Sequence, residues 1–259
     1  MSQRVVFQYN NVSDPYLLIK VYDNETFSNY GTIKYDLDSL ENGLPNDING
    51  TIEMANNYLN SKNVVRSEAL FLINCSEFFK LTTVIPAANE RRASKLYETE
   101  LARKISDINN YYRYSSSDII PSGKVFYEFL LPKYIIDFFK NIGDALGFEK
   151  MSYDLFPYYL YKTVSVGGSK NYAYYYEEKD VVSMILVING RLCSYYCFPN
   201  TDEACALSLT AIIDKHYYEL EKVKVDTICI NKNIPYLESY YPKEIVCYIG
   251  NINYEGKSF

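Results

Sequence analysis

The sequence predicts an α/β fold of mixed sheets with flanking helices. Three observations predict it. Short runs rich in β-branched and aromatic residues alternate with stretches of helical periodicity along the chain. Pro86, Pro132 and Gly147 fall at the ends of such runs, where proline and glycine stop or start an element. Asn189-Gly190 lies between two apolar runs and is the strongest short hairpin signal in the chain. Strands and helices interleaved in this way give an α/β or α+β class.

In chain order, Arg4–Tyr9, Tyr16–Tyr22 and Phe27–Tyr35 are three strand-like runs joined by polar turns, so the chain opens as a meander. The stretch from Asn42 to Gly50 carries Gly, Pro and Asn and is expected to be a loop. Thr51 is the expected cap of a helix running to about Ser61, with Ile52, Ala55, Tyr58 and Leu59 on one face. Glu68–Asn74 and Phe78–Ile85 follow as strands. Glu90 to Ile105 is a charged amphipathic helix with Ala93, Leu96, Tyr97, Leu101 and Ile105 on its apolar side. Asp107–Ser117 has the composition of a polar, tyrosine-rich link. Lys124–Leu131 is a strand, and Lys133–Leu146 a helix capped by Gly147. Phe148–Leu155 is a short strand and Phe156–Thr163 a short helix or turn. Gly167-Gly168-Ser169 is the best internal boundary. Beyond it come strands over Asn171–Tyr176, Val181–Ile188 and Arg191–Phe198, a helix over Ala204–Val223, and closing strands over Val225–Asn231 and Glu244–Ile249.

Composition narrows function more by exclusion than by motif. Lys plus Arg is 26 and Asp plus Glu is 32, a net charge of −6, which argues against a nucleic-acid backbone binder. The one histidine, His216, excludes a multi-histidine metal site within one chain. Twenty-nine tyrosines accompany no tryptophan, an excess that AT-rich codons explain as readily as a binding surface does. The six cysteines, Cys75, Cys193, Cys197, Cys205, Cys229 and Cys247, form no CxxC pair; Cys229 and Cys247 sit in apolar runs as buried structural thiols would. The longest apolar stretch, Val181 to Ile188, falls well short of the roughly 20 residues of a membrane helix, and the opening MSQRVVFQYNN is no signal peptide. A cytoplasmic protein is the expectation.

Three landmarks carry a family resemblance. The first is Leu81-Thr82-Thr83-Val84-Ile85-Pro86 followed by the acidic helix through Glu90, Glu98 and Glu100. The second is Phe126 to Lys133, running through Phe138, Ile142 and Gly143 to Leu146-Gly147-Phe148. The third is the hairpin from Val181 to Ile188, Asn189-Gly190 and Arg191-Leu192. Their order resembles the PilM-type pilus-assembly proteins, which share the actin-like fold of FtsA, and the resemblance covers about residues 30–250. It implies two ribonuclease-H-like subdomains: an N-terminal one over 1–166 with an inserted α/β segment, and a shortened C-terminal one over 167–259. It also implies two phosphate turns, which in actin-like ATPases are acidic and carry glycine so that backbone N–H groups approach the phosphates. Here the first would be Gln8-Tyr9-Asn10-Asn11, with Asp14 the nearest acid, and the second Tyr175-Tyr176-Glu177-Glu178-Lys179-Asp180; neither has a glycine. Tyr248-Ile249-Gly250-Asn251 is the only stand-in for the adenosine-side loop. The chain thus resembles a degenerate member that has lost ATP binding.

Other chemistry has little support. His216 lies late in an expected helix, an ordinary capping position. There is no G-x-S-x-G elbow and no P-loop; Gly167-Gly168-Ser169-Lys170 has the composition of a linker. On a strand, the adjacent Glu177 and Glu178 would face opposite sides and could not both flank one glycosidic bond, and a hairpin turn with solvated charge is the better reading. Arg91, Arg92, Lys95, Arg103 and Lys104 are countered by Glu90, Glu98 and Glu100, as on a solvated helix face with pairs one turn apart. The sequence therefore supports a non-catalytic scaffold of a pilus or secretion-type assembly. It would bind a protein partner but no nucleic acid, with indirect membrane association left open. No cofactor, catalytic residue or metal ligand is expected, and no partner-binding residue is identified. The alternatives are a nucleotide-binding actin-like switch and a tyrosine-rich α+β ligand-binding module.

Overall fold

The computed structural model describes residues 3–12, 14–23, 26–86, 89–164, 168–179, 181–199, 225–232 and 246–249. The chain opens with β1 (Gln3–Asn10), β2 (Tyr16–Asp23) and β3 (Thr26–Lys34). A two-residue ladder, β4 (Leu40–Glu41) and β5 (Leu44–Pro45), leads to α1 (Ile48–Ser61) and β6 (Glu68–Asn74). An excursion follows: β7 (Phe79–Pro86), α2 (Glu90–Lys104), β8 (Tyr111–Ile120) and β9 (Gly123–Pro132). The chain continues through α3 (Lys133–Leu146), β10 (Lys150–Leu155) and α4 (Phe156–Thr163). The described elements end with β11 (Tyr172–Glu178), β12 (Val181–Ile188), β13 (Arg191–Pro199), β14 (Thr227–Ile230) and β15 (Val246–Tyr248). Two compact units result. One holds the described residues of Met1–Phe78 and Leu131–Tyr159; the other holds those of Phe79–Leu130 and Leu160–Ile252. The helix expected over Ala204–Val223, with His216 and Cys205, lies outside the described residues, as do Gly167, Asp180 and Gly250.

The same sheet is built twice. The first unit has the order β10-β6-β1-β2-β3, the second β13-β12-β11-β14-β15. In each, a three-stranded antiparallel meander places its first strand centrally. That strand then pairs in parallel with the next strand of the sheet, which pairs in parallel with the last. Two such ribonuclease-H-like sheets in one chain are the actin-like architecture that the sequence implied.

In the first unit, one sheet face is packed with aromatic rings. Phe7 stacks on Phe71 with centroids 4.7 Å apart, and Phe71 meets both Tyr153 and Phe139 of α3. The helix buries Ile135, Ile136, Phe139, Ile142 and Leu146, the stripe its spacing dictates. Gly143 lets α3 approach closely, because a Cβ there would collide with Met151 Sδ. Gly147 ends the helix at φ +77° with its N–H on Asp144 O, while Phe148 N–H reaches Gly143 O, a Schellman closure. The opposite face is polar and yet buried. Gln8, Asn10, Lys20 and Asp154 are all inside, and Lys20 Nζ donates to Gln8 Oε1 at 3.1 Å. Tyr159 of α4 belongs to this environment: burial pushes its phenol up to about 12, with Arg4 and Lys20 opposing and Asp154 reinforcing.

In the second unit, Ala173, Tyr175, Val182, Met184, Leu186, Ile228 and Ile230 form one core with Ile120, Val125 and Tyr127 of the excursion. The excursion is a sheet of order β7-β9-β8 covered by α2, whose Ala93, Tyr97 and Leu101 bury against Ile85, Phe126 and Leu130. Tyr97 and Phe126 stack at 4.2 Å. Behind that stack lies Glu128, 1% exposed. It accepts from Tyr97 OH at 2.6 Å, Arg113 Nε at 2.8 Å and Ser115 Oγ at 2.8 Å. A buried carboxylate is tolerable only with such a set of donors.

Four expectations are corrected. Asp47, not Thr51, caps α1: its Oδ1 accepts from Gly50 N–H at 2.8 Å, and the Asn49-Gly50 segment read as loop is the first helical turn. The Asp107–Ser117 link is mostly β8. It looked like a link because an edge strand is solvated, yet Arg113 and Ser115, two apart, share the face that serves Glu128. The acids of α2 pair largely off their own helix, Glu90 with Lys124 and Glu98 with Arg113; Glu100 with Arg103 is the i,i+3 exception. Leu96, placed on the apolar side, is 43% exposed.

Arg113→Ala should therefore cost about 2–4 kcal/mol in urea unfolding, because Glu128 would stay buried with its counter-charge gone. Glu98→Gln, on the solvated arm of the same network, should cost less than about 1 kcal/mol.

Candidate functional site

The resemblance directs attention to the two places where the central strand of each sheet turns into its hairpin partner. In the first unit this is the end of β1. Its ladder with β6 closes on the pair Asn10 and Asn74, and Asn74 Nδ2 donates to Asn10 Oδ1 at 2.9 Å. Asn11 then finishes the ladder. Its N–H donates to Asn74 O at 3.3 Å, and its side-chain Oδ1 accepts from Ser76 N–H at 2.8 Å. Asn11 Nδ2 donates to Gly43 O at 2.9 Å and to Glu77 Oε2 at 2.7 Å. Tyr9 OH also donates to Gly43 O. Gly43 takes φ +74°, and the Glu77 carboxylate fills the place of its missing Cβ.

The electrostatics of this turn are those of a filled, acceptor-rich site. Burial, then the Glu77 carboxylate, pushes the Cys75 thiol up to about 12. Tyr9 is raised far above the ordinary phenol range, chiefly by burial. A triphosphate needs converging backbone N–H donors. Here the Asn11 and Ser76 N–H groups are engaged, and Glu77 sits beside them.

In the second unit, the corresponding position is the end of β11. Asn231 follows β14 and is fully buried. Its Oδ1 accepts from Glu177 N–H at 2.7 Å, its Nδ2 donates to Glu177 O at 2.9 Å, and its own N–H donates to Tyr175 O at 3.2 Å. The side-chain amide thus imitates one more residue of parallel ladder. Glu177 meets Lys232 at 3.5 Å, and Tyr176 OH donates to Glu178 Oε1 at 3.4 Å. Glu178 pairs with Val181, which leaves a two-residue hairpin with Lys179 at φ +55°. Glu177 and Glu178 both lie on β11, on opposite faces as their adjacency requires.

The remaining sequence candidates are dispersed. Gly168 takes φ +90°, and Ser169 Oγ is tied to the backbone of Asn171, a local turn rather than a cradle. Arg91, Arg92 and Lys95 are exposed on α2, and among the described residues none of them is ion-paired. Among the described residues, exposed tyrosines stand on four elements: Tyr30 on β3, Tyr112 on β8, Tyr134 on α3 and Tyr248 on β15. No group of three or more His, Cys, Asp or Glu side chains suited to a metal occurs among the described residues. Sequence reasoning missed the amide closures. Their signal was the repeated ending Ile73-Asn74 and Ile230-Asn231, an asparagine closing an apolar run in each half.

No protein-family model and no curated protein sequence matches the chain. Solved structures do. The chain is similar to the PilM-PilN type IV pilus biogenesis complex, with a TM-score of 0.55 and 8% identity over 88% of this chain and 80% of that one. It is also similar to the cytoplasmic domain of EpsL, an inner membrane component of the type II secretion system of Vibrio cholerae. There the TM-score is 0.54 and the identity 10%, over 90% and 84% of the two chains. A Bacteroides thetaiotaomicron protein of actin-like ATPase fold and unknown function aligns at a TM-score of 0.46 with 14% identity. At such identities, the first two likenesses establish the fold.

Asn231→Ala should destabilise the chain by about 1–3 kcal/mol, because Glu177 N–H and C=O both lose their partner inside the protein. Chemical denaturation measures it. Alkali is a second probe. Burial raises Cys75, Cys193 and Cys229 from the ordinary thiol value of 9.0 to about 12. The unfolded chain ionises these thiols first, so stability should be intact below pH 9 and fall as pH rises from there to about 12, followed by unfolding against pH.

Proposed function

We propose that this chain is a non-catalytic scaffold in an assembly of the type IV pilus or type II secretion kind, and that it works by binding a partner protein. The fold likeness to PilM and to the EpsL cytoplasmic domain supports the setting. The observation that supports the non-catalytic part is the amide closure beside both turns, where Asn11 and Asn231 hold the backbone N–H groups of Ser76 and Glu177. The similar PilM structure is a complex with PilN, which supports a protein as partner. A net charge of −6 disfavours nucleic acid. The division into an N-terminal subdomain over 1–166 with an insertion and a C-terminal one over 167–259 belongs to this proposal. So does a cytoplasmic location, with membrane contact made through the partner.

Two surfaces suit such a partner. β3 is the last strand of its sheet among the described residues, with Phe27 and Tyr30 at least half exposed. An open edge with aromatic side chains favours strand addition. On α2, the exposed Arg91, Arg92 and Lys95, in no ion pair among the described residues, favour an acidic segment.

A second reading, a nucleotide-binding switch, rests on one observation. Asn10 is fully buried and its Nδ2 has no hydrogen-bond partner among the described residues. A bound acceptor would satisfy it.

The two readings part in a thermal melt with and without magnesium–ATP. The scaffold reading expects no change in Tm. A nucleotide present at about 100 times its Kd would stabilise by about 2.7 kcal/mol, a rise of about 5–10 °C for a chain this size, and would overturn it.

A further inference from the structure

Cys229 of β14 and Cys247 of β15 are register partners in a parallel ladder. Partners across parallel strands share a sheet face, and the strands run about 4.7–4.9 Å apart. That separation lies inside the Cα–Cα range of about 4.4–6.8 Å that a disulfide spans. Both are free thiols, one buried and one exposed. Their proximity is also felt electrostatically: after burial, Cys247 is the next cause that raises the Cys229 thiol. The other described cysteines are placed differently. Cys193 and Cys197 are on β13, at the opposite edge of this sheet, and Cys75 is in the first unit.

We infer that Cys229 and Cys247 form a two-thiol oxidation site that closes to a disulfide with a peroxide as oxidant. The exposed Cys247 thiolate attacks the peroxide, so an S–O bond forms, the O–O bond breaks and water leaves after protonation. The Cys229 sulfur then attacks the sulfenic sulfur; the S–S bond forms, the S–O bond breaks and a second water leaves. Two thiols lose two electrons and two protons, and hydrogen peroxide takes them up as two waters. Cys229 takes the second role by its register position beside Cys247, and its proton passes to the departing hydroxide, which leaves as water. The bond ties β15, a three-residue edge strand, covalently to its neighbour.

Treating the full chain with hydrogen peroxide, blocking residual thiols and mapping peptides by mass spectrometry tests this. The expected product is a peptide pair joined through Cys229 and Cys247, lost on treatment with dithiothreitol. Cys247→Ser should abolish it, and Cys197→Ser should leave it intact. Cys229→Ser should convert it into a Cys247 sulfenic acid that dimedone traps. Sulfinic acid at Cys247 with Cys229 still free in the wild-type chain would overturn the inference. So would Cys247 joined to Cys197, to Cys205 or to a second chain.

Discussion

A parallel strand that ends beside a hairpin leaves backbone groups with no ladder to continue, and burial makes those groups expensive to leave unpaired. The two sheets of this chain meet that constraint at their most central point, the parallel pairs β1–β6 and β11–β14, and both meet it with asparagine. An amide side chain carries an acceptor and a donor in the spacing of a peptide group, so it substitutes for the missing residue of ladder. Asn231 does this alone, on both backbone groups of Glu177. In the first unit the work is divided: Asn74 holds Asn10, and Asn11 captures Ser76. The register of every strand outward from these pairs follows from them, because in a sheet each strand inherits its alignment from its neighbour.

The same solution has a functional consequence. Actin-like nucleotide sites depend on backbone donors left open at these two turns, and glycine is what leaves them open. Here Asn11 and Asn231 hold backbone N–H groups beside those two turns, and Glu77 and Glu177 stand next to them. The excursion β7-α2-β8-β9 shows a parallel economy of charge. Glu128 is buried at the centre of a donor set from two elements and ties α2 to its sheet, and among the described residues Arg91, Arg92 and Lys95 of that helix are in no ion pair.

Most of the fold was legible in the sequence. Val181–Ile188 coincides with β12, Glu68–Asn74 with β6 and Lys133–Leu146 with α3, because each is bounded by a residue whose backbone preference stops the element: Asn189-Gly190, the Asn74-Cys75 end, Pro132 and Gly147. What was hidden is also physical. β8 is an edge strand whose polar residues face either solvent or Glu128, and a partner fifteen positions away in sequence leaves no periodic trace. The Asp47 cap was masked by the glycine that its own side chain bonds. At the candidate site, the missing glycines were readable directly from Gln8 to Asn11 and Tyr175 to Asp180. The amides that fill their place were not, because asparagine in a turn is ordinary and only the register reveals what it completes.

The account rests on backbone amides beside the two turns being already engaged. Hydrogen–deuterium exchange at the Ser76 and Glu177 N–H groups, with and without magnesium–ATP, tests it most directly. The account predicts slow exchange at both amides in the free chain, unchanged by nucleotide. Fast exchange in the free chain that becomes protected on adding nucleotide would contradict it.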